Sequence, residues 1–425
     1  VVAGSIRMDG ADIIGTANRF SPLWNASFKY NVYEEGFMKK ISWLDELAFR
    51  LSYGYTGSID KNALPFGVMT FMSTDEYFGY DIPTYIQPKN PSVKWQKKED
   101  RSVGVDFALL NRRIRGTVNY YNNVTRNLLD TKNLPISVGV SSIKYNSSSV
   151  RNYGWEFSMN SQVLRTKELF WKVDFNVGMN RSKVIKTYYK DISEIPKGYD
   201  KTTPVEGAST NAWFGYRFAG IDPRTGHTLA FVDNSKREEP IGFQREDGRW
   251  VLDMDDVVNK DRESIKENLG DSYPTVNGGF RTNLSWKDFT FDANFTFMVG
   301  HKITAAYYAT SAGGVVSAAS QNVLKKEATR WRKPGDITDI PVYSSGGEYS
   351  SLNSEWYDLK LESGDFLKCT SISFGYRVPS KICQKFSLTS LRVNFNVRDV
   401  FTISGYSGLD RRILGDLVIL IPKSI

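Results

Sequence analysis

The sequence predicts an all-β fold, a transmembrane antiparallel β-barrel wall, and three observations carry that prediction. Residues 171–180 alternate polar and apolar without a break, which puts one set on each face of a strand. The pattern recurs: Phe289, Phe291, Ala293, Phe295 and Phe297 interleave with Thr290, Asp292, Asn294 and Thr296, and Leu391, Val393, Phe395 and Val397 with Arg392, Asn394, Asn396 and Arg398. These runs reach about ten residues, enough for a tilted strand to cross a bilayer. Aromatic side chains dominate their apolar side.

Composition fits such a wall. The chain has 425 residues, of which 40% are hydrophobic, and a mean hydropathy of −0.39 that would equally suit a soluble protein. No apolar run approaches the ~18 residues a membrane helix needs. In a barrel only alternate residues meet lipid, so average hydropathy stays low. The 23 Tyr, 25 Phe and 10 Trp suit interfacial girdles. A net charge of +8 comes without a basic stripe in the sequence or a recognition motif, which argues against nucleic acid. Cys369 and Cys383 form neither a disulfide framework nor a metal-binding spacing.

Candidate strands fall at roughly 1–8, 22–33, 44–57, 101–110, 113–122, 151–163, 168–181, 274–286, 287–300, 365–378 and 387–400. Short connections (Asn111-Arg112, Leu164 to Lys167, Trp286 to Asp288, Pro379 to Lys385) alternate with long ones at 58–100, 123–150, 182–273 and 301–364. Outer-membrane barrels carry short periplasmic turns and long extracellular loops. Roughly eleven strands is an odd number, and an open half-barrel would leave edges costing on the order of tens of kcal/mol in lipid. Residues 1–425 are therefore expected to be part of a barrel that is completed by more polypeptide or another chain. The strand-like start, without leader or initiator Met, gives the same expectation.

Within the long loops, Asp222 to Gly226 is a turn signal, and a small hairpin is expected between Trp213–Gly220 and Thr228–Val232. Ser311 to Ser320 is small and mildly apolar, a hinge or a packed segment. No nucleophile–base set can be assembled, His227 and His301 have no ligand partner at metal-binding spacing, and no enzyme, cofactor or metal centre is expected. Asp253, Asp255 and Asp256 lack the Gly of a calcium loop and read as a solvated surface.

Several segments carry a resemblance. Residues 47–57 (LAFRLSYGYTG) and Asn90 to Trp95 (NPSVKW), followed by 103–107 (VGVDF), resemble the SYG, NPxLKWE and strand segments of SusC/RagA-type TonB-dependent outer-membrane transporters. Residues 115–129 (RGTVNYYNNVTRNLL), 152–156 (NYGWE), 220–223 with Gly226, Gly278-Gly279, 364–367, 374–376 and 396–410 follow in the family's order. Gln96, Arg398-Asp399-Val400 and Arg411-Arg412 depart from its pattern, and the plug domain, TonB box and last strand are expected to be absent. The resemblance implies that residues 1–425 are the C-terminal portion, about half, of a barrel of roughly 22 strands. It further implies TonB-dependent import of oligosaccharides or oligopeptides, with a SusD-type surface lipoprotein as lid, especially over 301–364. Implied partners are the N-terminal plug and barrel portion, the TonB complex, outer-membrane lipid and a dimer of transporter–lipoprotein pairs. A siderophore or cobalamin receptor, a passive porin and a soluble β-rich glycan-binding protein are the alternatives.

Two sets of residues follow as site candidates. Arg50, Lys172, Asp174, Asn176, Asp292, Asn294, Arg392, Asn394 and Arg398 fall on the polar side of the alternation and are expected to face the lumen, contacting a plug or lining a substrate route. Tyr188, Tyr189, Trp213, Tyr307, Tyr308, Trp356, Tyr357 and Asp358 are candidate loop platforms for sugar rings, with girdle or partner contact as the competing role.

Overall fold

The computed structural model describes residues 1–15, 18–60, 66–77, 80–87, 89–133, 137, 142–194, 204–235, 237–256, 260–305, 325–342 and 356–408. The chain forms two compact units, Val1–Lys190 with Val205–Thr210, and Asp191–Pro204 with Asn211–Ile425. Eleven long strands, taken in chain order, make one antiparallel sheet, and all eleven overlap the strands expected from the alternation.

The first unit contributes β1 (Val2–Gly10), β2 (Phe20–Asn31), β3 (Leu44–Ser58), a side hairpin of β4 (Val68–Tyr77) and β5 (Tyr80–Gln87), then β6 (Gln96–Leu109), β7 (Ile114–Asn133), β8 (Ser142–Arg165) and β9 (Leu169–Lys186). Its registers confirm the period of two. Phe49, Leu51 and Tyr53 on β3 pair with Val105, Val103 and Arg101 on β6, while Arg50 and Ser52 pair with Gly104 and Ser102 on the other face. The tight connection from β6 to β7 holds Leu110, Asn111 and Arg112 at φ of 56°, 56° and 60°, the left-handed turn geometry that matches strand twist.

The expected loop 123–150 is for the most part strand, because β7 runs to Asn133 and β8 starts at Ser142. Register shifts between Thr125 and Leu128 and between Leu128 and Leu129, with Asn127 at φ 58°, break the alternation there. A bulge that inserts a residue hides a strand from any period-two reading. The expected loops 58–100 and 182–273 likewise surrender their strand ends, Gln96 onward to β6 and the stretch through Lys186 to β9.

The first unit also explains the Asn90 to Trp95 motif. The Asn90 side chain donates to the Lys144 carbonyl at 2.7 Å and accepts from the Ser92 amide at 3.1 Å. Asn146 accepts from the Lys94 amide at 2.8 Å. Val93 and Trp95 bury against Ile14, and the Trp95 indole donates to the Arg19 carbonyl at 3.2 Å. One short segment thus ties the connection before β6 to the β1–β2 connection and to the start of β8.

The second unit holds β10 (Ala212–Gly215), β11 (Phe218–Ile221), β12 (Thr228–Val232), β13 (Phe243–Gln244), β14 (Trp250–Asp253) and β15 (Glu267–Asp271), followed by wall strands β16 (Val276–Trp286) and β17 (Phe289–Val299). The short pair β18 (Lys302–Thr304) and β19 (Leu361–Ser363) then leads to β20 (Phe366–Val378), helix α1 (Ser380–Lys385) and β21 (Leu391–Ser404). Strand β11 pairs with β12, close to the expected hairpin. Cys383, within the expected short connection Pro379 to Lys385, lies buried in α1. Ser311 to Ser320 lies outside the described residues.

Candidate functional site

The polar face is built by alternation, which delivers one hydrophilic side chain every second residue, and by register, which sets those side chains against partners on neighbouring strands. On β3, Arg50 reaches Asp106 of β6, with Nη2 to Oδ1 and Nε to Oδ2 both 2.8 Å. The same Nη2 donates to Asn119 Oδ1 on β7 at 2.9 Å. Gly104 lies beneath this guanidinium: a Cβ there would meet the Arg50 Nη2 at 3.1 Å. On β9, Lys172 Nζ sits 2.9 Å from Asp174 Oδ2, and the Asn160 amide donates to the other Asp174 oxygen. Asp106, Thr117, Ser158, Asn160, Asp174 and Asn176 line one groove on this face.

The second unit repeats the arrangement. Arg281 Nε donates to Asp292 Oδ2 at 2.7 Å. Asn294 donates to Asp292 Oδ1 and to Ser371 Oγ, both at 2.9 Å. Arg392 Nη2 donates to Thr290 Oγ1 at 2.9 Å, Asn394 stands opposite Gly375 and Arg398 opposite Ser371. Within the first unit Arg50, Lys172, Asp174 and Asn176 fall on the polar face of their strands, and within the second Asp292, Asn294, Arg392, Asn394 and Arg398 do. Asp106, Asn119 and Arg281 belong to the same networks and were missed. Their polar spacing is present in the sequence, but only the register identifies which strand supplies the partner.

The loop candidates divide. Trp213 packs in a core with Leu269 and Leu361, its ring centroid 4.9 Å from that of Trp356, and its indole donates to the Lys302 carbonyl at 3.0 Å. Tyr357 is 0% exposed, its ring tilted against that of Tyr216 at 5.5 Å within a core that includes Leu252 and Met254. Asp358 accepts the Phe218 amide at 2.9 Å. These residues hold β10–β15 together, so the platform reading is corrected for Trp213 and Tyr357: a ring buried on both faces has none to offer a sugar. Tyr189 is also buried, and Tyr188 lies edge-on to it at 5.1 Å and stays partly exposed. Tyr307 and Tyr308 lie outside the described residues.

Asp253 at the end of β14, with Asp255 and Asp256 after it, is a correction of another kind. Asp255 is buried and accepts the Thr228 amide at 2.7 Å. Asp253 Oδ1 accepts the amides of Asp255 and Asp256 at 2.9 and 3.2 Å, and its Oδ2 pairs with His227 Nδ1 at 2.8 Å. Only Asp256 is exposed as expected. Among the described residues no group of three His, Cys, Asp or Glu is placed to hold a metal. Nearby, Asp247 has its carboxyl held below the usual range by the Arg249 guanidinium. Asp336 is held low chiefly by the Arg332 amide, which donates at 2.9 Å, and also by the Lys333 amide at 3.0 Å.

Long antiparallel strands with an apolar face and a hydrogen-bonded polar face define an outer-membrane β-barrel wall. A family model described as TonB dependent receptor-like, beta-barrel matches residues 2–294, and the chain belongs to that family. TonB-dependent receptor P3 of Formosa agariphila is 24% identical over 420 residues, covering 95% of this chain and 39% of the relative. TonB-dependent receptor SusC of Bacteroides thetaiotaomicron is 24% identical over 425 residues, with 96% and 39% covered. Among solved structures, that of the RagAB peptide transporter shares the fold, with a TM-score of 0.75 and 22% identity over 96% of this chain and 42% of that one. The chain thus spans about two fifths of the length of these relatives. The resemblance to the SusC/RagA type is borne out, and the soluble alternative is set aside.

Proposed function

We propose that this chain is wall and external loop structure of a transporter that imports oligosaccharides or oligopeptides across the outer membrane, powered through TonB and capped by a SusD-type lipoprotein. The observation that carries this reading is the polar face. Charged and amide side chains, Arg50, Asp106, Asp174, Arg281 and Asp292 among them, are tied into cross-strand networks along the wall strands. A lumen filled by a polar plug, or wetted along a solute path, has use for such a surface; lipid does not. Fixed donors and acceptors of both signs would give many weak contacts, which suits passage better than tight capture. Arg50, Lys172, Asp174, Asn176, Asp292, Asn294, Arg392, Asn394 and Arg398 would serve as plug contacts or lumen lining. The exposed Tyr188 and the partly buried Trp356 remain the candidate loop contacts for solute or lid. The chain itself is read as non-enzymatic.

The test is uptake by cells producing the whole outer-membrane protein. Labelled malto-oligosaccharides and mixed oligopeptides should enter wild-type cells, and entry should stop on adding a protonophore or deleting TonB. A surface lipoprotein should copurify in detergent. Uptake indifferent to both treatments would point to a passive pore, and TonB-dependent uptake without a lipoprotein to the siderophore or cobalamin class.

A further inference from the structure

The lysines and arginines look scattered in the sequence, yet register gathers six of them on the apolar face of the first unit. Lys97 stands opposite Arg126, Tyr53 opposite Arg101, and Arg151 and Tyr153 opposite Lys183 and Arg181. All six lie toward the strand ends that carry the long connections. The transition is sharp on β9. Trp171, Val173, Phe175, Val177 and Met179 share this face, and the next two positions on it are Arg181 and Lys183. Eight residue steps at about 3.3 Å, tilted about 40°, cover roughly 20 Å of membrane, close to the ~25 Å apolar band of such walls. Trp24, Tyr53, Tyr55, Tyr120, Tyr153 and Trp155 mark the interface level where the cations begin.

Charge on this patch is unbalanced. Glu99 is the carboxylate on it, nearly buried, accepting from Arg101 Nε at 3.1 Å and from the Tyr53 hydroxyl at 2.9 Å, with Arg126 at 3.8 Å. Asp130, farther along β7, accepts the hydroxyls of Ser148 and Thr187 at 2.7 and 2.8 Å. Arg151 donates to Asn122 at 2.8 Å and lies over the Tyr153 ring, its guanidinium 4.8 Å from the centroid. That contact restrains the plane of the guanidinium. Arg181 and Lys183 are exposed, and among the described residues no carboxylate pairs with Lys97, Arg151, Arg181 or Lys183.

We infer that this patch binds a phosphorylated glycolipid headgroup of the outer leaflet. Position selects the ligand: the cations face sideways into the headgroup layer, directly above lipid tails. Charge and geometry select phosphate, because Arg forks and Lys ammonium groups chelate its oxygens, and clustered basic residues at a membrane interface recruit anionic lipid.

The experiment uses the full-length outer-membrane protein, delipidated in mild detergent and titrated with diphosphoryl lipid A or its dephosphorylated form, read by native mass spectrometry. The phosphorylated form should bind at least about ten-fold tighter, and raised salt should shrink the difference. The preference should collapse in R151Q/R181Q/K183Q and persist in the charge-conserving R151K/R181K/K183R, which also controls for assembly. Millimolar inorganic phosphate should not displace the lipid. Equal binding of the two forms by wild type, an unchanged preference in the Gln variant, displacement by free phosphate, or loss of a bound acidic protein instead of lipid would each overturn the assignment.

Discussion

Arg50 and Asp106 form a two-point ion pair across β3 and β6, with both nitrogen–oxygen distances at 2.8 Å. The Arg50 side chain is 41% exposed, so solvent screens much of the attraction. A double-mutant cycle of R50Q and D106N, followed by urea unfolding of the assembled barrel, should give a coupling of about 1 kcal/mol. A value near zero would show that the shared Asn119 contact, rather than the charge pair, orders this face.

Phe175 and Asn176 are neighbours in β9 on opposite faces, Phe175 opposite Met159 and Asn176 opposite Ser158. A lysine on the lipid side near mid-membrane costs about 2–4 kcal/mol, whereas polar-face changes are tolerated. F175K should therefore lower the yield of heat-modifiable, folded barrel on electrophoresis, while N176K should assemble like wild type. Equal tolerance would mean the faces have been assigned the wrong way round.

Burial separates Trp213 and Tyr357 from Tyr188. W213A and Y357A remove fully packed rings and should cost the β10–β15 module about 3–5 kcal/mol, seen as rapid proteolysis within 211–273 while the wall strands stay protected. Y188A should leave protease protection unchanged. If W213A weakened solute binding and left proteolysis as it was, Trp213 would be a contact residue after all.

Gly226 adopts φ +78°, and a Cβ there would stand 2.6 Å from the Trp331 ring. That ring is anchored by its indole, which donates to the Pro223 carbonyl at 3.0 Å. G226A must accept a left-handed residue and displace the tryptophan, a cost of about 1–3 kcal/mol. Trp331 fluorescence should move to the red in G226A relative to wild type, and an unchanged spectrum would count against this packing.

Asp336 carries a depressed pKa because folded-state amides stabilise its charged form. Its contribution is therefore present above the ordinary carboxylate value of about 4 and lost as pH falls through the lower folded value. Hydrogen exchange at Arg332 and Lys333, corrected for intrinsic rates, should accelerate on acidification below that window, and D336N should show the faster exchange already at neutral pH. Equal protection in both proteins would place the restraint elsewhere.

The sequence by itself determined the wall. Alternation in stretches such as 171–180 and 289–297 names both faces of a strand, because a period of two leaves no other way to separate lipid from polar side chains. It failed where the period fails, at the Thr125–Leu129 bulges that turned expected loop into β7 and β8. Local pattern also cannot tell a buried loop aromatic from an exposed one: Tyr357 and Tyr188 look alike in sequence, and packing from distant segments decides between them. Tertiary structure alone decided register. It set Arg50 against Asp106 and Arg281 against Asp292, and it assembled six scattered cations into one patch. Pairing across strands depends on which residues far apart in the chain come to lie side by side, and no single strand records its neighbour.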